Sequence, residues 1–237
     1  MEFHLSKSFF AEAAHRNPSG NERQQRLHGH SYRIELLAAG PAAPGPGWVV
    51  DFGELKSLMQ PVLQLVDHGH LNELPGMGED VSTAGLERWV LEQVQSRPGG
   101  PPEWFRGARV TIMGDLAFRP VRLPASEREH IPARIGFGFE AAQSLPRLPD
   151  THPCRRLHGH SYRMEVAATD LDQLGPHLLV LYETLDHRYL NDVEGLDHAT
   201  CERICRWTWE WLAARDAGVL AVAAQETPSA RCVYFGD

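Results

Sequence analysis

The heptapeptide LHGHSYR occurs twice in this chain, at Leu27–Arg33 and again at Leu157–Arg163. Two identical histidine-rich runs of this length do not arise by chance within 237 residues, so they indicate an internal duplication. The two copies differ at nearby positions that carry reactive side chains. We therefore expect one fold formed twice, with the chemistry divided unevenly between the copies.

Neighbouring segments align once the two heptapeptides are superposed. The runs EAAH and EAAQ begin at Glu12 and Glu140, and the runs DHGHLN and DHRYLN begin at Asp67 and Asp186. Each copy then has the length of an ordinary single domain. We predict two units, 1–124 and 134–237, with the junction in the proline-bracketed polar stretch LPASEREHIPA at 123–133.

The composition argues against several classes of protein. A net charge of −8 does not suit a nucleic-acid partner, because phosphate backbones attract basic surfaces. No apolar run approaches the length of a membrane span, and the N-terminus lacks the basic-then-apolar order of a signal peptide. All four cysteines lie in the second unit, which does not resemble a disulfide framework. We expect a soluble protein of the reducing cytoplasm.

The hydrophobic pattern predicts the same order of elements in both units. Alternation of apolar and polar residues predicts strands at Met1–Ala14, Ser31–Ala39, Arg109–Leu116, Ile135–Ala142, Tyr162–Ala168, Leu220–Gln225 and Arg231–Phe235. Helical spacing predicts helices at Phe52–Val66, Thr83–Val94, Leu171–Leu185 and Thr200–Ala214, with Asp51 capping the first. The predicted class is α+β, with an antiparallel sheet and two helices on one face of each unit.

Histidines in the first heptapeptide have a spacing that favours a metal site. His28 and His30 are two residues apart, so on a strand both imidazoles project from the same face. His15 ends the preceding predicted strand and supplies a third nitrogen. Three histidines that leave one position open are typical of a catalytic zinc site. Exposed or capping histidines are the alternative, but the duplication of the motif favours the metal.

The second unit keeps only part of this ligand set. His158 and His160 repeat the pair, but Gln143 stands where His15 stands in the first unit. An amide oxygen is a poor zinc ligand, so we expect this second set to bind metal weakly or not at all. His152 is a weaker candidate for the missing ligand.

Several short motifs together resemble those of the 6-pyruvoyltetrahydropterin synthase family. They are EAAH, HGHSY, GWVVDF, DH-x-x-LN and, near the C-terminus, ET. The bacterial 6-carboxytetrahydropterin synthases of queuosine biosynthesis look most similar. The second unit carries the stronger block, with FEAAQSLP, CRRLHGHSYR, LDHRYLND, ATCE and QETPSARCVY. The resemblance implies two tandem tunnelling-fold (T-fold) domains, whose sheets join with those of other units into an oligomeric barrel.

The same resemblance implies the chemistry. It implies a lyase that uses Zn²⁺ and acts on 7,8-dihydroneopterin triphosphate, with active sites between neighbouring units. Triphosphate leaves, and the side chain is either cleaved to a carboxylate, with loss of acetaldehyde, or rearranged to a pyruvoyl group. The resemblance favours the carboxylate, although analogy at the level of a fold is a weak basis for a reaction. A homo-oligomer is expected, with no nucleic-acid or membrane partner.

The resemblance assigns the reactive thiol and the pterin anchor to the second unit alone. Cys154 lies four residues before His158, where the family has its catalytic thiol, and the first unit has Gln24 there. Glu226 matches the glutamate that anchors the pterin, and the corresponding place in the first unit falls near Gly114. A buried structural thiol and a surface carboxylate are the alternative interpretations of Cys154 and Glu226.

The remaining family residues are divided differently between the units. Thr200 and Glu202 match a segment that contacts the pterin, where the first unit has Ser82 and Ala84. The catalytic Asp-His relay of the family survives in both copies, as Asp67 with His68 and as Asp186 with His187. A carboxylate beside a histidine fixes the ring tautomer and raises its basicity. Both aspartates also suit a capping role after their helices.

Neither unit is complete, and three hypotheses follow. The working site draws on both units, for example Cys154 and Glu226 with the Asp67–His68 pair or a metal of the other copy. Alternatively, the second unit is the sole catalytic unit, and the first is a zinc-stabilised structural partner. Third, the chain binds zinc or pterin without catalysis. Triphosphate contacts from Arg26, Arg155 and Arg156 are as well explained by a solvated basic edge.

Overall fold

The computed structural model describes residues 2–44, 47–114, 119–120, 134–227 and 229–236. In the first unit four strands form one sheet in the order β3-β1-β2-β4. These strands are β1 (Phe3–His15), β2 (His28–Gly40), β3 (Gly69–His70) and β4 (Phe105–Ile112). Helices α1 (Phe52–Val66) and α2 (Thr83–Gln95) cover one face.

The second unit repeats this arrangement and extends it. Its strands are β5 (Arg119–Pro120), β6 (Arg134–Gln143), β7 (His158–Ala168), β8 (Arg188–Tyr189), β9 (Val219–Thr227) and β10 (Ala230–Tyr234). The sheet order is β10-β9-β7-β6-β5, and β8 pairs in parallel with β6 as β3 pairs with β1. Helices α3 (Leu171–Leu185) and α4 (Cys201–Ala213) pack on one face. The predicted α+β class, with two tandem units, is confirmed.

Helix α1 shows why these residues form the helical layer. Asp51 precedes it in an extended conformation and accepts a hydrogen bond from the Gly53 amide, which satisfies one of the free donors of the first turn. Helical spacing then places one apolar face in the core of the unit, and the buried residues of that face are Leu55, Leu58, Met59, Val62 and Val66. The same face in α3 is formed by Leu174, Leu178, Leu181 and Leu185.

Some predicted boundaries were wrong. Strand β2 begins at His28 instead of Ser31, so the whole HGH motif is strand, and β4 covers Phe105–Ile112 instead of Arg109–Leu116. Leu116 and the predicted junction at 123–133 lie outside the described residues. No helix in the described ranges is long and apolar enough to cross a membrane. All four cysteines are free thiols.

The two sheets meet where the duplicated motifs lie. Among the described residues no strand ladder joins them; instead β2 and β7 cross in close contact. A Cβ atom added to Gly29 would lie 2.3 Å from the Gly159 Cα, and one added to Gly159 would lie 2.2 Å from the Gly29 Cα. The amides of Ser31 and Ser161 donate to each other's hydroxyls, both at 3.0 Å. The contact therefore relates the two units by a pseudo-twofold axis, with one histidine pair on either side of that axis.

Candidate metal and active sites

Three histidines of the first unit converge on one point. The antiparallel register places His15 opposite His28 and Ala13 opposite His30, so the three imidazoles share one region of the sheet. One nitrogen from each lies within 4.8 Å of the other two, and all three side chains are buried. The structure thus brings together the three histidines that the sequence analysis predicts as metal ligands. We call these three histidines the first centre. The second centre is the equivalent group in the second unit together with the adjacent thiol, namely Gln143, His158, His160 and Cys154.

The hydrogen bonds of the first centre leave nitrogen lone pairs that suit a cation. The Nδ1 atoms of His15 and His28 donate to the carbonyls of Val81 (2.9 Å) and Arg26 (2.8 Å), so in the neutral rings both Nε2 atoms carry lone pairs. These two Nε2 atoms face each other at 3.0 Å. Burial, with the charges of neighbouring histidines, lowers the pKa of His15 to about 3 and that of His28 to about 2. Two facing lone pairs repel unless a cation lies between them, so the donor set fits zinc.

Each histidine pair is supported by a carboxylate from the other unit. His30 donates from Nδ1 to Glu140 at 2.6 Å, while His160 donates from Nδ1 to Glu12 at 2.9 Å. Glu140 also accepts from the Ser161 hydroxyl, and burial raises its pKa to about 8. Sequence reasoning assigned no role to either glutamate. The available signal was a glutamate repeated before two alanines in a strand predicted to be buried, where a polar side chain needs a hydrogen-bond partner.

Replacing Glu140 with alanine should weaken zinc binding at the first centre by about 10- to 100-fold, because the acceptor that orients His30 is lost. Competition with a chromogenic chelator measures this affinity. Glu12→Ala is the matched control, since Glu12 supports the other histidine pair. Equal weakening by both substitutions would contradict the crossed arrangement.

Each Asp-His relay lies at the histidines of the opposite unit. The ring of His187 packs on His28 with centroids 4.2 Å apart, and the ring of His68 packs on His158 at 4.6 Å. Both relay histidines have a left-handed backbone, with φ of 53° for His187 and 55° for His68. This conformation is uncommon for residues other than glycine and occurs often at functional sites. The backbone amides of His187 and His68 donate to the carbonyls of Glu140 and Glu12, respectively, which hold them there.

The first centre lacks a thiol, and its relay is held in an ion pair. Asp186 binds Nδ1 of His187 at 2.8 Å and also accepts from Arg23 at 3.0 Å. Gln24 hydrogen-bonds the Asn21 amide instead of offering a reactive group. At Gly114, a Cβ would lie 1.8 Å from the Glu140 Oε1, so a glutamate anchor at this position would clash. The first centre therefore has metal donors and a relay but neither of the other family groups.

The second centre contains the thiol and takes its relay from the first unit. Cys154 lies in a short 3-10 helix, Pro153–Arg155, and its Sγ is 3.5 Å from Nε2 of His68. Asp67 lies 3.1 Å from Nδ1 of the same ring and also accepts from the Glu12 amide. The predicted juxtaposition of Cys154 with the Asp67–His68 pair is thus present in the geometry. Asp67 ends α1 as well, so its capping and relay positions coincide.

The second centre does not have the three-histidine donor set. Gln143 Nε2 donates to His158 Nε2 at 3.4 Å, while His158 Nδ1 donates to the Arg156 carbonyl at 2.8 Å. Buried His160 Nε2 and Gln143 Oε1 have no hydrogen-bond partner in the described part of the chain. His152 accepts from the Cys154 amide at 3.2 Å, so it caps the short helix rather than replacing the missing ligand.

The predicted pterin residues line one cavity of about 240 Å³. Its lining residues are Leu145, Thr200, Cys201, Glu202, Glu226, Ala230, Arg231 and Cys232. Thr200 also caps α4, through a hydrogen bond from the Arg203 amide. The Leu145 amide donates to the Cys154 carbonyl at 2.9 Å, which connects the cavity to the thiol. Burial, Glu226 and Asp67 raise the pKa of Cys154, so the thiol form is favoured.

Two of the arginines proposed for triphosphate contacts, Arg26 and Arg155, have other partners. Arg155 donates to the Leu148 carbonyl at 2.8 Å and pairs with Asp150 at 2.9 Å, while Arg26 pairs with Glu22 at 3.2 Å. These contacts favour a local structural role for Arg155. Arg26 also lines a cleft of about 950 Å³ beside the first centre, together with His187 and Arg16.

Comparisons with known proteins agree with this division into two copies. The family model described as 6-pyruvoyl tetrahydropterin synthase matches residues 4–112 and again 133–237. A 6-carboxy-5,6,7,8-tetrahydropterin synthase from Synechocystis sp. is 37% identical over 116 residues, which cover 42% of this chain and 88% of the relative. One from Haemophilus influenzae is 32% identical over 104 residues, covering 42% of this chain and 70% of the relative. The Caenorhabditis elegans 6-pyruvoyl tetrahydropterin synthase structure has a TM-score of 0.40 at 22% identity, covering 53% of this chain and 100% of that chain.

Proposed function

Because the chain belongs to the 6-pyruvoyl tetrahydropterin synthase family, we propose that it converts 7,8-dihydroneopterin triphosphate at the second centre. One observation carries the proposal: Cys154 of the second unit lies 3.5 Å from His68 of the first. A thiol and an imidazole at this separation form a proton-transfer pair. Glu226, Thr200 and Glu202 line one cavity with Leu145, whose amide donates to the Cys154 carbonyl.

Binding of the pterin ring is assigned to Glu226. A carboxylate accepts two parallel hydrogen bonds from a 2-amino group and the adjacent ring N–H, as it does from a guanidinium. Thr200 and Glu202 stand beside Glu226 in the same cavity and would position the rest of the ring. The side chain of the substrate would then extend towards Cys154.

Proton transfer is assigned to Cys154 with His68. The raised pKa of Cys154 means that the free thiol needs a base in order to ionise, and His68 Nε2 is the nearest one. Asp67, 3.1 Å from Nδ1, favours the tautomer that leaves Nε2 free to accept the proton. The residual ligands of this centre do not match a three-histidine zinc site, so no step is assigned to a metal here.

Zinc is assigned to the first centre, where the donors fit. His15, His28 and His30 would hold it, and a bound ion supplies Lewis acidity and ties the two units together through Glu140. Since this centre lacks the thiol and the anchor, we propose a structural role for its metal.

The first test is turnover of the proposed substrate. Purified protein with 7,8-dihydroneopterin triphosphate should release triphosphate and acetaldehyde, because the relatives named above are 6-carboxytetrahydropterin synthases. Triphosphate without acetaldehyde would indicate the pyruvoyl product. Release of neither product by folded, zinc-loaded protein would reject the proposed reaction.

The variant Glu226→Gln links that turnover to the cavity. Loss of a hydrogen-bonded charge costs about 1.5–3 kcal/mol, so kcat/KM should fall by roughly 10- to 100-fold. Glu210→Gln is the control, since this exposed residue of α4 pairs with Arg206 at 2.8 Å. An equal loss of kcat/KM in both variants would contradict a role for Glu226 in substrate binding.

We also propose a homo-oligomer in which the sheets continue between chains. Among the described strands, β4 and β10 lie at the ends of their sheets, and strand edges that are unpaired there are available for pairing. The two separate family matches support the proposed units, 1–124 and 134–237. Mass photometry of the zinc-loaded protein measures the assembly directly.

A further inference from the structure

We infer that Cys201 and Cys205 form a redox-active thiol pair at the wall of the cavity that contains Glu226, and that a small hydroperoxide converts the pair into a reversible disulfide. Both residues lie on α4, and the proposed reaction uses neither thiol. The effect of the disulfide on pterin binding rests on the proposed function, whereas its formation does not. The first unit has Thr83 and Glu87 at the equivalent helical positions, so the pair occurs only in the copy that carries the cavity.

The two thiols face the sheet from successive turns of one helix, because residues four apart lie on the same helical face. The Cys201 Sγ donates to the Ala224 carbonyl at 3.1 Å, and the Cys205 Sγ donates to the Cys232 carbonyl at 3.5 Å. Ala224 pairs directly with Cys232 across β9 and β10, so both thiols contact the same rung of the sheet. The Cys201 and Cys205 thiols also hydrogen-bond each other, which places the two sulfur atoms in contact.

Cys201 is the thiol of the pair that reacts first. It is partly exposed and lines a cavity of about 240 Å³, which admits a small hydroperoxide, whereas Cys205 is buried. Cys201 is also the first residue of α4, where the positive end of the helix dipole stabilises a thiolate. The hydrogen bond from Cys205 lowers the pKa of Cys201, and this effect outweighs burial and the Glu226 charge.

The oxidation balances with a hydroperoxide as the oxidant. The Cys201 thiolate attacks the terminal peroxide oxygen, the O–O bond breaks, and the departing alkoxide takes up a proton, which leaves a sulfenic acid on Cys201. The Cys205 thiol then attacks that sulfur, and water leaves as the disulfide forms. The two thiols together lose two electrons and two protons, and the peroxide is reduced to alcohol and water.

A bridge between these two residues would alter the cavity. Cβ atoms four residues apart in a helix are separated by about 5–6 Å, which exceeds the roughly 4 Å of a relaxed disulfide. The first turn of α4 therefore has to shift, and this turn carries Glu202 and the capping residue Thr200. Oxidation also removes the thiol proton that binds the Ala224 carbonyl, two residues before Glu226. Both changes act on residues that line the cavity.

Peptide mapping after oxidation tests the thiol pair without turnover. The parent protein carries Cys154→Ser, which removes the other reactive thiol, and it is treated with hydrogen peroxide and then alkylated. Trypsin cleaves at Arg203, so a bridge between Cys201 and Cys205 joins two peptides that mass spectrometry identifies. The bridge should form in the parent and in its Cys232→Ser variant, and dithiothreitol should remove it. No bridge in the parent, or any bridge in its Cys201→Ser variant, would overturn the inference.

Neopterin binding, followed by the fluorescence of the pterin, measures the effect on the cavity. The oxidised parent should bind neopterin at least roughly tenfold more weakly than the reduced parent, the effect of losing one charge-assisted hydrogen bond, and dithiothreitol should restore binding. Equal binding by the bridged and reduced forms would overturn the regulatory role. Failure of the reduced protein to bind neopterin would reject the proposed function and that role with it, whereas the peptide map would still decide the thiol pair.

Discussion

Replacing His68 with alanine is expected to lower kcat by about 100- to 10,000-fold, whereas His187→Ala should lower it by at most about tenfold. His68 is the imidazole that contacts Cys154, at 3.5 Å. His187 occupies the equivalent position in the other copy, but it packs against His28 in a centre without a thiol. Steady-state kinetics with the triphosphate substrate measure both variants.

Variants at the thiol complete this comparison. Cys154→Ala should match the loss in His68→Ala, and the double variant should be little worse, because residues that act as one unit are not additive. Gln24→Ala, at the equivalent position in the first unit, should leave kcat within a factor of about two. If His187→Ala abolished activity and His68→Ala did not, catalysis would belong to the first centre and the proposed assignment would be wrong.

Replacing Gly29 with alanine should destabilise the protein by about 3 kcal/mol, which lowers the melting temperature by roughly 6 to 12 °C. The new Cβ would lie 2.3 Å from the Gly159 Cα and 2.8 Å from the Ala13 carbonyl oxygen. Backbone atoms border both sides, so neither neighbour can move without separating the strands. That separation would also break the reciprocal hydrogen bonds of Ser31 and Ser161, each worth about 1 kcal/mol.

Gly175→Ala provides the comparison for Gly29→Ala. Gly175 lies in α3, and a Cβ added there would meet no atom within 4 Å, so its stability change should stay within about 1 kcal/mol. Thermal unfolding followed by circular dichroism measures both variants. A Gly29→Ala protein as stable as the wild type would show that the two sheets do not pack at this contact.

Local sequence patterns were sufficient to predict most of the helices and strands of the fold. The predicted bounds of the helices Phe52–Val66 and Leu171–Leu185 agree with the structure, because each has an aspartate cap and a clear apolar face. The strands β3 and β8 were missed, since two residues carry no periodicity. Strand β2 was predicted too short because Gly29 and the two histidines around it are not typical of a buried strand.

The candidate site was only partly predictable. The convergence of His15, His28 and His30 follows from spacing on paired strands, which is a local property. The roles of Glu12 and Glu140 depend on how two separate sheets dock, and no sequence period reports that contact. The pairing of Cys154 with His68 was among the hypotheses only because the family resemblance implies sites between units.

The exchange of Glu12 and Glu140 between the two histidine pairs has a consequence for how the duplicated gene can evolve. A substitution at either glutamate alters the opposite copy, so neither half can accumulate changes there independently. Cutting the gene into two halves would leave each histidine pair without its acceptor until the pieces reassociated. Specialisation of the copies is therefore confined to positions such as Gln24 and Cys154, while Glu12 and Glu140 have to be retained together.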